Sequence, residues 1–156
     1  MMYISSTIMT ALKLASTYNP AIKLISDIIF AQDLTSISNT KVDFSISATK
    51  KVSFSNMNFT GNSNSIFNYK EEIYGLLSFN SIPLVEIFHS HFSNNTAEMF
   101  AAGVLKFLTI NKLILENCTF VNNTAKSSHG GAINVLYSDG IQNYFKDCKF
   151  LRNSSP

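Results

Sequence analysis

The sequence predicts an all-β chain built as a parallel β-solenoid, a stack of about five similar coils. Three observations lead there. A Phe-x-x-Asn unit recurs at a near-constant step. A glycine-centred unit recurs between its copies. The residues between them alternate apolar and polar with period two, as strands do and helices do not.

The Phe-x-x-Asn units are Phe59/Asn62, Phe92/Asn95, Phe120/Asn123 and Phe150/Asn153, with a fainter Phe30/Asp33 ahead of them. The near-constant step between these phenylalanines sets a coil of roughly 28–33 residues, within the range of repeat architectures. The glycine unit is fullest at Gly130-Gly131-Ala132-Ile133. It returns as Ala102-Gly103-Val104-Leu105 and Tyr74-Gly75-Leu76-Leu77, and Gly75, Gly103 and Gly131 are evenly spaced.

Each repeat offers about three short strands separated by Asn/Ser/Thr/Gly-rich bends. The first strand carries Val42/Phe44, Leu77/Phe79, Leu105/Phe107 or Ile133/Val135. The second carries Val52/Phe54, Val85/Ile87 or Leu113/Leu115, and the third ends in the repeat Phe. Three such strands cannot bury their apolar faces alone, but stacked repeats can. Equivalent residues then fall into columns about 4.8 Å apart. One is a ladder of Phe30, Phe59, Phe92, Phe120 and Phe150. Beside it runs a ladder of Asn62, Asn95, Asn123 and Asn153, whose amides can bond to one another and to backbone freed by the bend. Gly75, Gly103, Gly130 and Gly131 would allow a left-handed backbone or a close approach where the next strand starts.

The alternation of Phe-x-x-Asn with Gly-Gly-Ala-Ile resembles the repeats of chlamydial polymorphic outer-membrane proteins and of similar surface proteins in some protists. The resemblance covers about residues 84–156 well and residues 20–83 loosely. Only Gly130–Ile133 matches the glycine unit fully, because Ala102 and Tyr74 replace its first glycine. It implies a right-handed parallel β-helix of the pectin-lyase-like kind. It also implies a place at a cell surface or in a secreted protein, with a structural or adhesive role.

Taken in order, residues 1–35 read as an irregular or capping first coil and residues 36–156 as β-helix coils. Within the first part, residues 20–32 admit two readings. Asn19 and Pro20 could start a helix, with Ile22, Ile25, Ile28 and Ile29 at helical spacing. The strand reading fits better, since Lys23–Phe30 resembles Lys112–Phe120. Residues 63–74 insert a loop with Lys70-Glu71-Glu72 at its tip, which accounts for the longer step from Phe59 to Phe92. Both ends read as if cut from a longer array, so neighbouring coils of a parent chain are expected partners. The segment Met1–Thr17 makes a poor signal peptide.

Composition is consistent with this reading. Hydrophobic residues make up 46% of the chain and charged residues 14%, with thirteen Phe and no Trp to fill an interior column. A net charge of +2 without a basic run argues against nucleic-acid binding. No apolar stretch is long enough to span a membrane.

Candidate sites are few. Cys118 and Cys148 lie one repeat apart, each two positions before the repeat Phe. Stacked as vertical neighbours they would be within disulfide range, and a bridge or two buried thiols would each fit. Five Asn-x-Ser/Thr sequons occur, at Asn58, Asn94, Asn117, Asn122 and Asn153; each is an N-glycosylation acceptor if the chain enters a secretory lumen. His89 and His91 lack the further ligands zinc needs and read as surface histidines. Enzymes of the resembled fold work on an outer strand column rich in acids. Here that column reads Lys13, Asp43, Ser78, Lys106 and Asn134, with one acid, and no carboxylate pair is in reach. No catalytic residue, metal or cofactor is therefore expected, and the ligands expected are proteins or glycans at a cell surface. The alternative is a polysaccharide lyase or hydrolase whose active site is not visible in this chain.

Overall fold

A computed structural model of the chain describes residues 2–3, 21–32, 37–38, 43–63, 76–98, 104–126, 129–136 and 140–156. Every regular element among them is a strand. In chain order these are β1 (Met2–Tyr3), β2 (Ala21–Gln32), β3 (Ile37–Ser38), β4 (Asp43–Ser55), β5 (Asn58–Thr60), β6 (Leu77–Phe88), β7 (His91–Ser93), β8 (Thr96–Ala97), β9 (Leu105–Glu116), β10 (Thr119–Val121), β11 (Thr124–Ala125), β12 (Ile133–Leu136), β13 (Gln142–Lys146) and β14 (Lys149–Leu151).

Among the described residues all pairings are parallel, and they make three sheets. The long strands form one, in the order β1-β2-β4-β6-β9-β12, with β13 also on β9. The Phe strands form the second, β14-β10-β7-β5-β3, and β11-β8 forms the third. Neighbours are one repeat apart in sequence. Phe59 pairs with Phe92, Phe92 with Phe120 and Phe120 with Phe150, while Leu77 pairs with Leu105 and Leu105 with Ile133.

The sheets meet at residues with left-handed backbone. Asn56, His89, Asn117 and Asp147 (φ 53°, 48°, 53° and 52°) stand between the long strands and the Phe strands. Gly61, Asn94, Asn122 and Arg152 (φ 68°, 55°, 53° and 52°) stand just before the ladder asparagines. Inside β6 and β9, Ser81 and Thr109 take the same conformation. In the first two sets Asn56, His89, Asn117, Gly61, Asn94 and Asn122 donate their N–H to the following repeat, as in His89 to Glu116 O at 2.9 Å and Asn94 to Val121 O at 2.9 Å. That bond recovers part of the cost of left-handed backbone, which Asn and Gly bear most cheaply.

The core lies between the sheets. Val52, Val85, Ile87, Leu113 and Leu115 are fully buried, as are Phe59, Phe92 and Phe120. Phe92 and Phe120 stack at 4.9 Å between ring centroids, as do Phe120 and Phe150, with rings within 6° of parallel. Phe59 and Phe92 are tilted, at 6.2 Å and 50°. A second stack joins Phe79 to Phe107 at 4.9 Å.

The asparagines form a directional ladder. The Oδ1 of Asn95 accepts from both the N–H and the Nδ2 of Asn62, at 2.9 and 3.2 Å. The Oδ1 of Asn123 does the same for Asn95, and that of Asn153 for Asn123. Each Nδ2 also reaches back to the carbonyl of the preceding repeat's Phe: Asn95 to Phe59, Asn123 to Phe92 and Asn153 to Phe120. The amide is the side chain suited to this, since it carries a donor and an acceptor on one rigid group.

Residues 21–32 form strand β2, in line with the strand reading, and β1 and β2 join the same sheet as the later repeats. The expectation fails at one residue. Phe30 does not join the Phe ladder. Its backbone pairs with Tyr3 and Ser53, and Ile37 stands in register with Phe59. The β2–β4 register sets Ile22 against Phe44, Leu24 against Ile46 and Ile29 against Val52, with a bulge between Ser26 and Ile28. Apolar matching along a whole strand outweighs one matching phenylalanine.

Candidate functional site

The outer side of β6, β9 and β13 is the candidate recognition surface. In β9 the residues that alternate with inward Leu113 and Leu115 are Lys112, Ile114 and Glu116. Gln142, Tyr144 and Lys146 of β13 stand beside them in the same register. Lys112, Ile114, Gln142, Asn143 and Tyr144 line an open groove of about 470 Å³, and Tyr144 is 51% exposed. Ring, amides and ammonium can stack on and hydrogen-bond to a polar ligand.

Among the described residues three ion pairs link adjacent repeats: Lys51 with Glu86 at 2.6 Å, Lys126 with Glu98 at 2.9 Å and Lys146 with Glu116 at 3.0 Å. Glu116, by hydrogen bond and by charge, holds the Lys146 ammonium above its ordinary pKa. Solvent screens such partly exposed pairs, so they add little stability and serve mainly to fix register.

The column expected to be the outer, catalytic-type face is different in two ways. Its members are Ser45, Ser78, Lys106 and Asn134, because β4 pairs Phe44 with Leu77 and so sets Ser45 rather than Asp43 against Ser78. Ser78, Lys106 and Asn134 are also buried, so this part of the sheet is covered on both sides. The hydroxyl of Ser78 finds no hydrogen-bond partner among the described residues. Lys13 lies outside the described residues.

Cys118 and Cys148 are vertical neighbours, as the pairing of Thr119 with Lys149 requires, and both are free thiols. Each donates to a carbonyl of the preceding repeat, Cys118 to Ile87 O at 3.4 Å and Cys148 to Leu115 O at 3.5 Å. Burial pushes the Cys118 thiol up to about 11.

Four sequon asparagines, Asn58, Asn94, Asn117 and Asn122, are exposed, whereas Asn153 is half-buried in the ladder. His89, His91 and His129 are exposed, and no group of three or more His, Cys, Asp or Glu side chains gathers among the described residues. Gly130 has φ +77°, and a Cβ on Gly131 would collide with the backbone of Ser154. Gly75, Gly103 and nearly all of the 63–74 insertion lie outside the described residues; Ser63 itself bridges to Thr96. Among the described residues no helix is long and apolar enough to cross a membrane.

Sequence reasoning did not single out the groove or the left-handed corner columns. The corners leave a trace in the Asn or Asp that begins Asn56-x-x-Phe, Asn117-x-x-Phe and Asp147-x-x-Phe. The groove leaves none, since outward positions need not repeat. Compared with known protein families, curated proteins and solved structures, the chain matches none.

Proposed function

We propose that the three parallel sheets are faces of a right-handed parallel β-helix, of the polymorphic outer-membrane-protein type that the repeats resemble. Its role is structural or adhesive, as an extended segment of a cell-surface or secreted protein. The observation that carries the reading is the shared register. At each step from β5 onward the Phe strands, the Asn ladder and the long-strand segments that lead into them shift by a common offset, even though that offset differs from one step to the next. A scaffold of that kind holds outward side chains at fixed intervals, and the groove at Tyr144 is where a protein or glycan ligand would sit. The carbohydrate-active alternative gains no support from the column Ser45, Ser78, Lys106 and Asn134, which holds no carboxylate.

The test is antibody labelling of the native cells before and after permeabilisation. The surface role expects signal on intact cells or in the medium. Signal that appears only after permeabilisation would overturn it.

A further inference from the structure

We propose that Cys118 and Cys148 close into a disulfide in an oxidising compartment and so staple two consecutive repeats together. The inference rests on the register of β10 and β14 and not on the surface role, so either can fail alone.

These are the only two cysteines in the chain, and both fall in one column. Thr119 pairs with Lys149, and the N–H of Lys149 donates to Cys118 O at 2.9 Å, so Cys118 and Cys148 stack one strand step apart. That step is about 4.8 Å, inside the Cα separation of about 4.4–6.8 Å that disulfides span. The two side chains run the same way. Each thiol donates to the carbonyl two residues before it, Cys118 to Glu116 O and Cys148 to Lys146 O, both at 3.4 Å. Side chains that run together can be bridged by rotation about Cα–Cβ, whereas diverging ones cannot. Cys118 is fully buried, and Cys148 packs against the same core. Burial keeps the Cys118 thiol protonated, and the Cys148 side chain adds to that by charge and by hydrogen bond.

The hydrogen bonds alone do not call for sulfur. One repeat earlier the position is Ser90, whose hydroxyl gives the same bond to Phe88 O at 2.7 Å and accepts from the N–H of Met57 at 3.2 Å. Serine thus serves this corner better than a thiol, which is a weak donor. Met57, one repeat before Ser90 in the same column, has no side-chain donor at all. What two stacked cysteines add is a covalent bond between repeats. It would close a loop that holds β11, β12 and β13, and tie the end of β13 to the end of β9.

The oxidant is a small disulfide of the glutathione class. One cysteine thiolate attacks it, forming a mixed disulfide and releasing one small thiol. The other cysteine then attacks the protein sulfur of that mixed disulfide, and the second small thiol leaves. The two cysteine protons end on the two released thiols, and the electron pair passes to the oxidant. Because Cys118 is buried and protonated, exchange is slow in the folded chain, and the bridge closes as the repeats assemble.

The test refolds the full reduced chain from urea in a glutathione buffer set to the poise of a secretory lumen. The product is then treated with an alkylating agent and read by mass spectrometry. The expected main product is a monomer that has lost two hydrogens and takes up no alkyl group. It should unfold at higher urea than the same chain held reduced, and the Lys149 amide, bonded to Cys118 O, should exchange more slowly in it. The double variant Cys118→Ser, Cys148→Ser keeps a donor of the Ser90 kind, and its urea midpoint should not respond to redox poise. A dithiol, a mixed glutathione adduct or a disulfide-linked dimer as the main product would overturn the proposal. So would a bridged chain that unfolds at lower urea than the reduced one, since the native stacking would then oppose the bond.

Discussion

Replacing Asn123 by alanine tests the ladder where it is most connected. Asn123 is fully buried. Its side chain accepts from the N–H and Nδ2 of Asn95 at 3.2 and 2.9 Å, and donates to Phe92 O at 3.0 Å and Asn153 Oδ1 at 2.9 Å. Alanine removes all four bonds and leaves buried donors and a carbonyl with no water to replace them. At about 1 kcal/mol net for each bond, the loss is about 4 kcal/mol, and unsatisfied groups push it upward. With a urea slope of about 2 kcal/mol/M, the midpoint followed by circular dichroism should fall by about 2 M. The comparison is Asn122→Gly, one residue away. It removes a single exposed bond of 3.3 Å and keeps a residue suited to left-handed backbone, so the change should stay under about 1 kcal/mol. A loss for Asn123→Ala no greater than that for Asn122→Gly would refute the ladder as a source of stability.

Phe120→Ala should cost about 3–5 kcal/mol in thermal or urea unfolding, since a fully buried ring stacked on both faces leaves a cavity that the neighbouring strands cannot fill. Gly131→Ala should destabilise by about 1–3 kcal/mol and speed hydrogen exchange at Ser154, whose backbone the new methyl group would strike. Stability should fall as pH rises from about 9 to about 11, because the unfolded Cys118 thiol ionises first while burial keeps the folded one protonated; Cys118→Ala should flatten that slope in urea titrations. Expressed through a secretory lumen, the chain should carry glycans at exposed Asn94, Asn117 and Asn122 and none at Asn153, whose amide is engaged in the ladder. Mass spectrometry before and after glycan removal reads that directly.

The Phe and Asn columns were legible because identical residues recur at a near-constant step, and parallel strands set identical residues side by side. The same logic failed at Phe30, where the first repeat is shortened. β2 meets β4 at a smaller offset, with Ala21 against Asp43 and Ile28 against Lys51, and Ile37, not a phenylalanine, occupies the ladder position. Asp43 was misplaced for a related reason. Val42/Phe44 and Phe44/Ile46 both alternate, and a period-two pattern looks the same after a slip of two positions. Only the pairing of Phe44 with Leu77 chooses between them. Corner residues such as His89, Ser81, Thr109 and Arg152 carry no compositional sign of left-handed backbone, and for His89 a main-chain bond to the neighbouring repeat holds the conformation in place. The groove beside Tyr144 arises from outward residues of β9 and β13 that bear no relation to the repeat.

The central claim is that consecutive repeats stack in parallel at the strand spacing. The column Asn58, His91, Thr119 and Lys149 reports it, since each pairs with the next on the outer side of the Phe strands. Spin labels at Asn58→Cys and Lys149→Cys, in a Cys118→Ser and Cys148→Ser background, span three strand steps. The account predicts a separation of about 14 Å, with visible dipolar broadening, and about 10 Å for labels at His91→Cys and Lys149→Cys. Equal separations for the two pairs, or no coupling in either, would contradict the stacking on which everything else rests.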